Sequence, residues 1–101
     1  MNPGYLQNHV AILTQNSGDL RNTLADGIES IARKLRERFV VNGYELGKIL
    51  EAVSRQPKDG VSELIAIIKE SQWHFDAFIQ CLNDMGYTGL VQKLQGMYMY
   101  Y

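Results

Sequence analysis

The sequence predicts an all-α domain in which six short amphipathic helices close around one core. Apolar residues recur at spacings of three and four along the chain, and the alternation typical of strands is absent. Gly, Asn-Gly or Pro separates most of the periodic segments. With 101 residues, of which 46% are hydrophobic and 21% charged, the chain has the composition of one globular domain.

The first predicted helix has an apolar stripe that is interrupted in its middle. Its positions, at alternating spacings of four and three, are Leu6, Val10, Leu13, Ser17, Leu20 and Leu24. Because glycine costs about 1 kcal/mol in a helix interior, Ser17-Gly18 predicts that this helix is kinked or split. Gly27 is expected to mark the next break.

The second predicted helix follows this break and ends at Asn42-Gly43, which we interpret as a helix-to-helix turn. Asp26 is expected to cap its start. Its apolar face consists of Ile28, Ile31, Ala32, Leu35 and Phe39. The third predicted helix has the apolar positions Leu46, Ile49, Leu50 and Val53.

Pro57 separates the third helix from the fourth, because proline disfavours helical backbone at the preceding residue, Gln56. Asp59 is expected to cap the fourth helix. The apolar face of this helix consists of Val61, Leu64, Ile65 and Ile68.

The fifth predicted helix is the one around which the others are expected to pack. Its apolar face consists of Phe75, Phe78, Ile79 and Leu82. Gly86 can adopt the left-handed backbone that stops a helix. A sixth helix then carries Leu90, Val91 and Leu94. At the centres of all these faces we expect six buried residues: Leu35, Leu50, Leu64, Ile68, Phe78 and Leu82.

Trp73 has two alternative interpretations. The fifth helix could begin after Trp73, so that the indole folds back into the core; this is favoured because a lone large aromatic side chain is mostly buried. Alternatively, Trp73 points outward and anchors a contact with a partner.

Composition argues against several classes of partner. A net charge of −1 and a pI of about 6.1 argue against nucleic-acid binding. The longest apolar run, Leu64 to Ile68, is far shorter than a membrane span, and no signal pattern is present. Cys81 is the single cysteine, so no intrachain disulfide is possible and a cytoplasmic location is expected.

No pattern of catalytic or ligand-binding residues stands out. His9, His74 and Cys81 lack the paired spacing of a zinc site, and His74 and Cys81 lie two helical turns apart, too far for side-chain contact. The segment from Gly43 to Ile49 lacks the spacing of a phosphate loop. We therefore expect no enzyme activity, metal, cofactor or small-molecule substrate.

Charged residues are the main candidates for a protein interface. Seven are predicted to form it: Arg33, Lys34, Arg36, Arg38, Asp59, Glu63 and Glu70. Residues 28–41 contain four basic and two acidic residues, a net charge of +2, whereas residues 59–84 contain one basic and five acidic residues, a net charge of −4. A merely solvated surface is the alternative.

The run from Trp73 to Val91 combines an aromatic start, a Phe- and Leu-containing helix, a Gly turn and a short final helix. Together with the order of apolar positions from Val10 to Leu94, it resembles the caspase recruitment domain (CARD) of the death-fold superfamily. The stretch from Ile49 to Ile65 is similar to the third-to-fourth-helix region of that family. The resemblance implies an antiparallel six-helix bundle with a kinked first helix over residues 1–96. An apolar C-terminal tail follows at 97–101, which either docks on the bundle or begins a continuation.

The resemblance also implies a function. CARDs are homotypic protein–protein interaction modules that bind other CARD-containing proteins or themselves, often as helical filaments, and nucleate innate-immune, inflammatory or apoptotic signalling. In the well-known apoptotic pairing the surface of helices 1 and 4 is basic and that of helices 2 and 3 acidic. Here the second helix is basic and the fourth acidic, so the partner of that pairing is not transferred.

We expect oppositely charged stripes to join copies head to tail, because one copy is not expected to satisfy both stripes internally. Reversing Arg33, Glu63 or Glu70 is then expected to abolish assembly without unfolding the monomer. One alternative is a monomeric helical adaptor domain that binds a heterologous helix or peptide in an apolar groove. A small helical DNA-binding domain is a weaker one, because its acidic surface would repel phosphate.

Overall fold

The structure, a computed structural model, describes the backbone of residues 8–99 and the side chains of residues 8–96. Leu6 and the side chains of 97–101 therefore lie outside the described residues. Within residues 8–99 the regular structure is entirely helical, in agreement with the predicted fold class. The helices are α1 (His9–Gln15), α2 (Ser17–Leu24), α3 (Ile28–Glu37), α4 (Gly43–Arg55), α5 (Pro57–Ile68), α6 (Gln72–Asp84) and α7 (Thr88–Met99).

The first predicted helix is split into α1 and α2, as expected. The break lies at Asn16, one residue before Ser17, where the backbone has φ −106° and ψ 11°. Asn16 is buried and its side-chain amide donates a hydrogen bond to the carbonyl of Ile12 at 2.8 Å. A 3-10 turn, Ala25–Gly27, then connects α2 to α3, so the predicted break at Gly27 is confirmed.

The cap predicted for α3 is wrong. Asp26 lies inside the 3-10 turn, and Gly27 is the residue that precedes the helix, with no side-chain cap. The 3-10 turn continues almost directly into α3. Asp26 therefore lies one residue before the N-cap position of α3. A side chain at the N-cap position itself would accept hydrogen bonds from the first turn of the helix.

The end of α3 corrects the prediction for Phe39. The helix ends at Glu37, Phe39 has φ 62°, and its side chain is 80% exposed. The N–H of Phe39 bonds the carbonyl of Arg36 at 3.1 Å, and the N–H of Val40 bonds the carbonyl of Leu35 at 2.9 Å. This pair of bonds is a Schellman motif, and Val40 and Leu35 are both buried in the core. Val40 therefore takes the core position predicted for Phe39.

The turn at Asn42-Gly43 connects two helices, as predicted. The Asn42 side chain accepts a hydrogen bond from the Glu45 N–H at 2.7 Å, and the Glu45 carboxylate accepts one from the Asn42 N–H at 2.8 Å. This reciprocal capping box fixes the start of α4. Along α4, Ile49 is fully buried but Leu50 is only half-buried, because the helix turns the face of Ile49 and Ala52 toward the core.

Helix α5, which is the fourth predicted helix, is the central element and packs against α2, α3, α4 and α6. The fifth predicted helix, α6, was expected to have this central place. Pro57 is its first residue and the extended Gln56 precedes it, so Asp59 lies in the first turn and is not the predicted cap. A Cβ on Gly60 would overlap Cγ2 of Val53, so glycine allows α5 to approach α4 closely.

Helix α6 carries the large aromatic core residues Phe75 and Phe78, both buried. It begins before Trp73, because the Ser71 hydroxyl accepts a hydrogen bond from the His74 N–H at 3.1 Å. Trp73 is consequently on the helix surface and 56% exposed, so the favoured buried interpretation is wrong. Gly86, with φ 91°, ends α6 as predicted.

Helix α7 completes the core by burying Val91 and Leu94, and it packs against α1 and α6. Its backbone stays helical past residue 96 to Met99. The Lys93 ammonium forms an ion pair with Asp19 of α2. Of the six predicted core residues, Leu35, Leu64, Ile68, Phe78 and Leu82 are buried. None of the helices within residues 8–99 combines the length and apolar composition needed to cross a membrane.

Candidate interaction surface

Two of the predicted basic interface residues pair within α3 itself. The Arg33 guanidinium lies 3.0 Å from the Glu29 carboxylate, four residues earlier, and the Lys34 ammonium lies 3.7 Å from Glu37. Spacings of three and four bring side chains together on one helix surface. Exposed pairs of this kind stabilise a fold by at most about 0.5 kcal/mol.

Arg38 connects the end of α3 to the end of α6. Its guanidinium lies 2.7 Å from the Asp84 carboxylate, which also accepts a hydrogen bond from the Gln80 amide at 3.0 Å. The hydrogen bond from Arg38 is the main cause that lowers the pKa of Asp84 below its usual value, and the bond from Gln80 adds to it. The two helix ends are therefore held side by side.

The predicted acidic residues of α5 also have partners in the same chain. Asp59 lies 4.0 Å from Arg21 of α2, and Glu63 lies 3.3 Å from Lys48 of α4. The expectation that one copy leaves the charged stripes unsatisfied is therefore wrong for five of the seven residues: Arg33, Lys34, Arg38, Asp59 and Glu63. Their surface position was predicted correctly from the sequence, but these pairs were not. The pairs of Arg38, Asp59 and Glu63 depend on tertiary packing, whereas those of Arg33 and Lys34 form within α3.

Three exposed or half-buried charged residues, Arg36, Glu70 and Asp76, differ from these five because they form no ion pair within the described residues. Among the residues that the structure describes, Arg36 and Glu70 have no ion-pair partner within 4.0 Å. Asp76 likewise has no ion pair within the described part of the chain, and its carboxylate accepts a hydrogen bond from the Gln72 amide at 2.9 Å. An ion pair among the described residues is also lacking for Asp26, Glu45, Lys58 and Lys69. Of the seven residues predicted from the sequence to form the interface, Arg36 and Glu70 are the two whose charge remains available for a partner.

Arg36 belongs to a basic corner, which we define as Arg36, Phe39 and Tyr44 around the connection between α3 and α4. The Arg36 Nε lies 3.9 Å from the position that a Cβ on Gly43 would occupy, so its side chain lies over this connection. Phe39 and Tyr44 are 80% and 76% exposed. The Lys48 ammonium lies 5.6 Å from the Tyr44 ring centroid, but it also pairs with Glu63, so the positive charge of the corner comes from Arg36.

The Phe39 backbone makes this corner unusual. A left-handed conformation costs a residue with a Cβ about 1–2 kcal/mol, and Phe39 adopts it with φ 62°. Its exposed ring recovers little of this cost by burial. This feature was not predicted from the sequence, although three consecutive apolar residues, Phe39 to Val41, cannot all lie on one helix face and so signal a helix end.

Glu70, Trp73 and Asp76 form a second surface, which we call the acidic corner. Trp73 and Asp76 lie one turn apart at the start of α6. The Trp73 ring packs edge-on against His74, with centroids 5.3 Å apart. With the neighbouring Lys69 included, the corner has a net charge of −1. Sequence analysis assigned Glu70 to the interface but missed Asp76.

The two corners lie at opposite ends of α6. The Arg38–Asp84 ion pair holds the basic corner beside the last turn of α6, whereas Trp73 lies in its first turn. The eleven residue steps from Trp73 to Asp84 correspond to about 16 Å along the helix axis. Phe39 and Trp73 of one copy are therefore too far apart to touch.

The candidate metal ligands are separated in the structure. The His9 ring bonds the carbonyl of Lys69 at 3.0 Å, and the His74 ring bonds the Ser71 hydroxyl at 2.6 Å. Cys81 is fully buried, which raises the pKa of its thiol. Within residues 8–99, no three His, Cys, Asp or Glu side chains are grouped closely enough to hold a metal ion.

The described surface also has two shallow clefts. One, of about 330 Å³, lies between α2 and α5 and is lined by Ser17, Ser62, Ile65, Ala66 and Lys69. The other, of about 250 Å³, lies between α6 and α7 and is lined by Phe75, Asp76, Ile79, Gln80 and Gln95. Both mix polar with apolar side chains. They differ from the apolar grooves that bind amphipathic helices.

Comparison with known proteins gave no match: no family model, no curated protein and no solved structure matches the chain.

Proposed function

We propose that this protein is a non-enzymatic interaction module that self-assembles through a homotypic contact of the CARD–CARD type. Its partners are further copies of itself or other CARD-containing proteins, and it acts in the cytoplasm to nucleate innate-immune, inflammatory or apoptotic signalling. In this proposal α1 and α2 together form the kinked first helix of an antiparallel six-helix death-fold bundle. Helices α3 to α7 are its second to sixth helices.

The observation that supports the proposal most is the presence of two corners of opposite charge on one chain. Arg36 in one corner, and Glu70 and Asp76 in the other, have no ion pairs within the described residues. Large aromatic side chains are exposed in both corners, whereas most apolar side chains of the described chain are packed in one core. Exposed aromatic and Arg side chains are typical of protein interfaces.

Two unlike surfaces on one chain favour a head-to-tail contact between copies. A contact that joins one surface to a different surface leaves a free surface at each end of the dimer. Further copies then add until a ring closes or a filament grows. Each exposed charge pair contributes at most about 1 kcal/mol, so the apolar part of each corner has to contribute as well.

The second candidate function is a monomeric adaptor domain that binds a heterologous helix or peptide. The cleft between α6 and α7 favours it, because Phe75 and Ile79 contribute apolar surface there. The adaptor function is the weaker candidate, because Asp76, Gln80 and Gln95 also line this cleft. The two functions differ in their dependence on salt, because screening weakens contacts between charges but not apolar contacts.

The test is light scattering and electron microscopy of the purified protein over a range of concentrations. We expect oligomers or filaments at about 0.1 M salt that dissociate near 1 M salt, where the Debye length falls from about 10 Å to about 3 Å. A protein that stays monomeric at high concentration in both conditions would contradict self-assembly and favour the adaptor function.

Charge reversals identify the residues responsible. The structure shifts this test from Arg33 and Glu63, which are paired within the chain, to Arg36 and Glu70. We expect Arg36→Glu and Glu70→Arg each to prevent assembly while circular dichroism stays unchanged. A mixture of the two variants should give short oligomers, because each retains one native corner. Arg33→Glu is the matched control and should still assemble. Equal assembly by all three variants would contradict an electrostatic contact.

A further inference from the structure

Phe39 lies at a position where the fold does not require an aromatic side chain. At the equivalent position of α6 the chain has Gly86, which adopts positive φ without a Cβ penalty. Phe39 adopts the same kind of backbone with a large ring that is 80% exposed. Strained residues that the core does not require occur preferentially at functional sites. The ring of Phe39 therefore has the character of a contact residue.

Trp73, at the other end of α6, is also an exposed aromatic residue that the fold does not require. Ser71 caps the helix, so the indole is not needed to start it. The ring is 56% exposed and stands between the carboxylates of Glu70 and Asp76 in the chain. Tryptophan is among the residues most enriched at the energetic centres of interfaces, where it is surrounded by polar residues.

The exposed row of α6 already binds a basic residue of α3. Trp73, Asp76, Gln80 and Asp84 are all exposed and lie at spacings of three and four, so they form one row along the helix. Arg38 of the same chain pairs with Asp84 at the end of this row. Asp76, two turns earlier, has no ion pair among the described residues, while Arg36, two residues before Arg38, has none either. The charges of the two corners are thus complementary.

We infer that the basic corner of one copy docks on the acidic corner of a second copy, with Phe39 packed against Trp73 and Arg36 facing Glu70 and Asp76. This inference rests on the proposed self-assembly and names the residues of its contact. Arg36 can also place its guanidinium over the Trp73 ring, an arrangement that adds a cation–π attraction. Because the corners lie at opposite ends of α6, the contact repeats from copy to copy.

Phe39→Gly is the most informative variant, because it removes the ring and relieves the backbone at once. We expect the melting temperature of the monomer to stay the same or rise, while the concentration needed for assembly rises at least about tenfold. Trp73→Ala should have the same effect on assembly, and Trp73→Phe should retain part of it. Asn22→Ala, at an exposed position of α2, is the matched control and should assemble as the native chain does.

Cross-linking tests which surfaces meet. A Phe39→Cys chain is mixed with a Trp73→Cys chain and oxidised mildly; the native Cys81 is buried and does not take part. We expect disulfide-linked dimers that contain one chain of each kind. Predominant Phe39→Cys homodimers would indicate a symmetric contact and overturn the inference.

The outcomes separate the inference from the proposed function. Loss of assembly in Phe39→Gly and in Trp73→Ala, with a folded monomer, supports the inference and the proposed function together. Native-like assembly of these two variants, while Arg36→Glu and Glu70→Arg fail to assemble, overturns the aromatic contact and leaves self-assembly in place. A native chain that does not assemble at any concentration overturns both.

Discussion

Phe39 and Gly86 occupy equivalent positions, one residue beyond the C-caps of α3 and α6, and both have positive φ, 62° and 91°. At each helix end the next residue, Val40 or Tyr87, donates its N–H to a carbonyl in the last turn, at 2.9 Å in both cases. The same helix-ending turn thus contains glycine at Gly86, which adopts positive φ without strain, and an aromatic residue at Phe39, which does not.

We predict that Gly86→Ala destabilises the fold by about 1 kcal/mol, because alanine adopts positive φ only at a cost. Urea unfolding followed by circular dichroism measures this change. Gly47→Ala is the matched control: Gly47 lies inside α4 with nothing within 4 Å of an added Cβ, so alanine should stabilise the fold by up to about 1 kcal/mol. Equal effects of both substitutions would contradict the interpretation of the turn.

Phe78→Ala should cost about 3–5 kcal/mol of unfolding free energy, because it empties a fully buried site between packed helices. Leu50→Ala should cost clearly less, since Leu50 is only half-buried. Both residues were predicted from the sequence to be buried, but the structure buries only Phe78 fully. The two substitutions therefore test the structure against the prediction from the sequence. Thermal melting of both variants gives the comparison, and similar losses would show that α4 is rotated differently from the structure described.

The Arg38–Asp84 ion pair predicts an acid-sensitive contribution to stability. The pKa of Asp84 is lowered in the folded chain, so its contribution is present above the usual Asp pKa and is lost as pH falls through the lowered value. An NMR titration of the Asp84 carboxyl group should show the low midpoint. In Arg38→Gln the midpoint should move upward, toward the ordinary value for Asp. An unchanged midpoint would show that Arg38 is not the main cause.

The Cys81 thiol should react slowly with thiol reagents in the folded protein. It is fully buried, and burial raises its pKa, so the reactive thiolate is rare. If exposure requires an opening that costs about 3 kcal/mol, the reaction is roughly 100-fold slower than for an exposed thiol. Trp73→Cys provides that exposed thiol as an internal reference. A Cys81 that reacts as fast as the new cysteine would contradict the packing of α6.

The sequence predicted the helices well because their apolar spacing is regular and their boundaries carry strong signals. Gly86 follows the end of α6 and Pro57 separates α4 from α5, as predicted. Asn42 lies in the predicted connection between two helices, but α3 already ends at Glu37, five residues before it. Side-chain caps were less predictable. Asp26 and Asp59 are good capping residues, yet the backbone begins the helices elsewhere, since the 3-10 turn and Pro57 already determine where α3 and α5 start.

The surface was harder to predict than the fold. Trp73 was expected in the core because large aromatic residues are mostly buried, but the Ser71 cap extends α6 backward and turns the indole outward. Phe39 follows the apolar period of α3 but lies beyond its end. The ion pairs Arg21–Asp59 and Lys48–Glu63 join different helices, so helix-wheel reasoning about single helices could not find them.

The connection between α4 and α5 has a consequence for the order in which the chain folds. Gln56 alone links the two helices, and Gly60 brings them close together, so their contacts join residues that are near in sequence. Closing such short loops costs little entropy. The ion pair of Lys93 with Asp19 spans 74 residues and forms only after a much longer loop has closed. The α4–α5 hairpin is therefore expected in the folding transition state, with α7 docking after it.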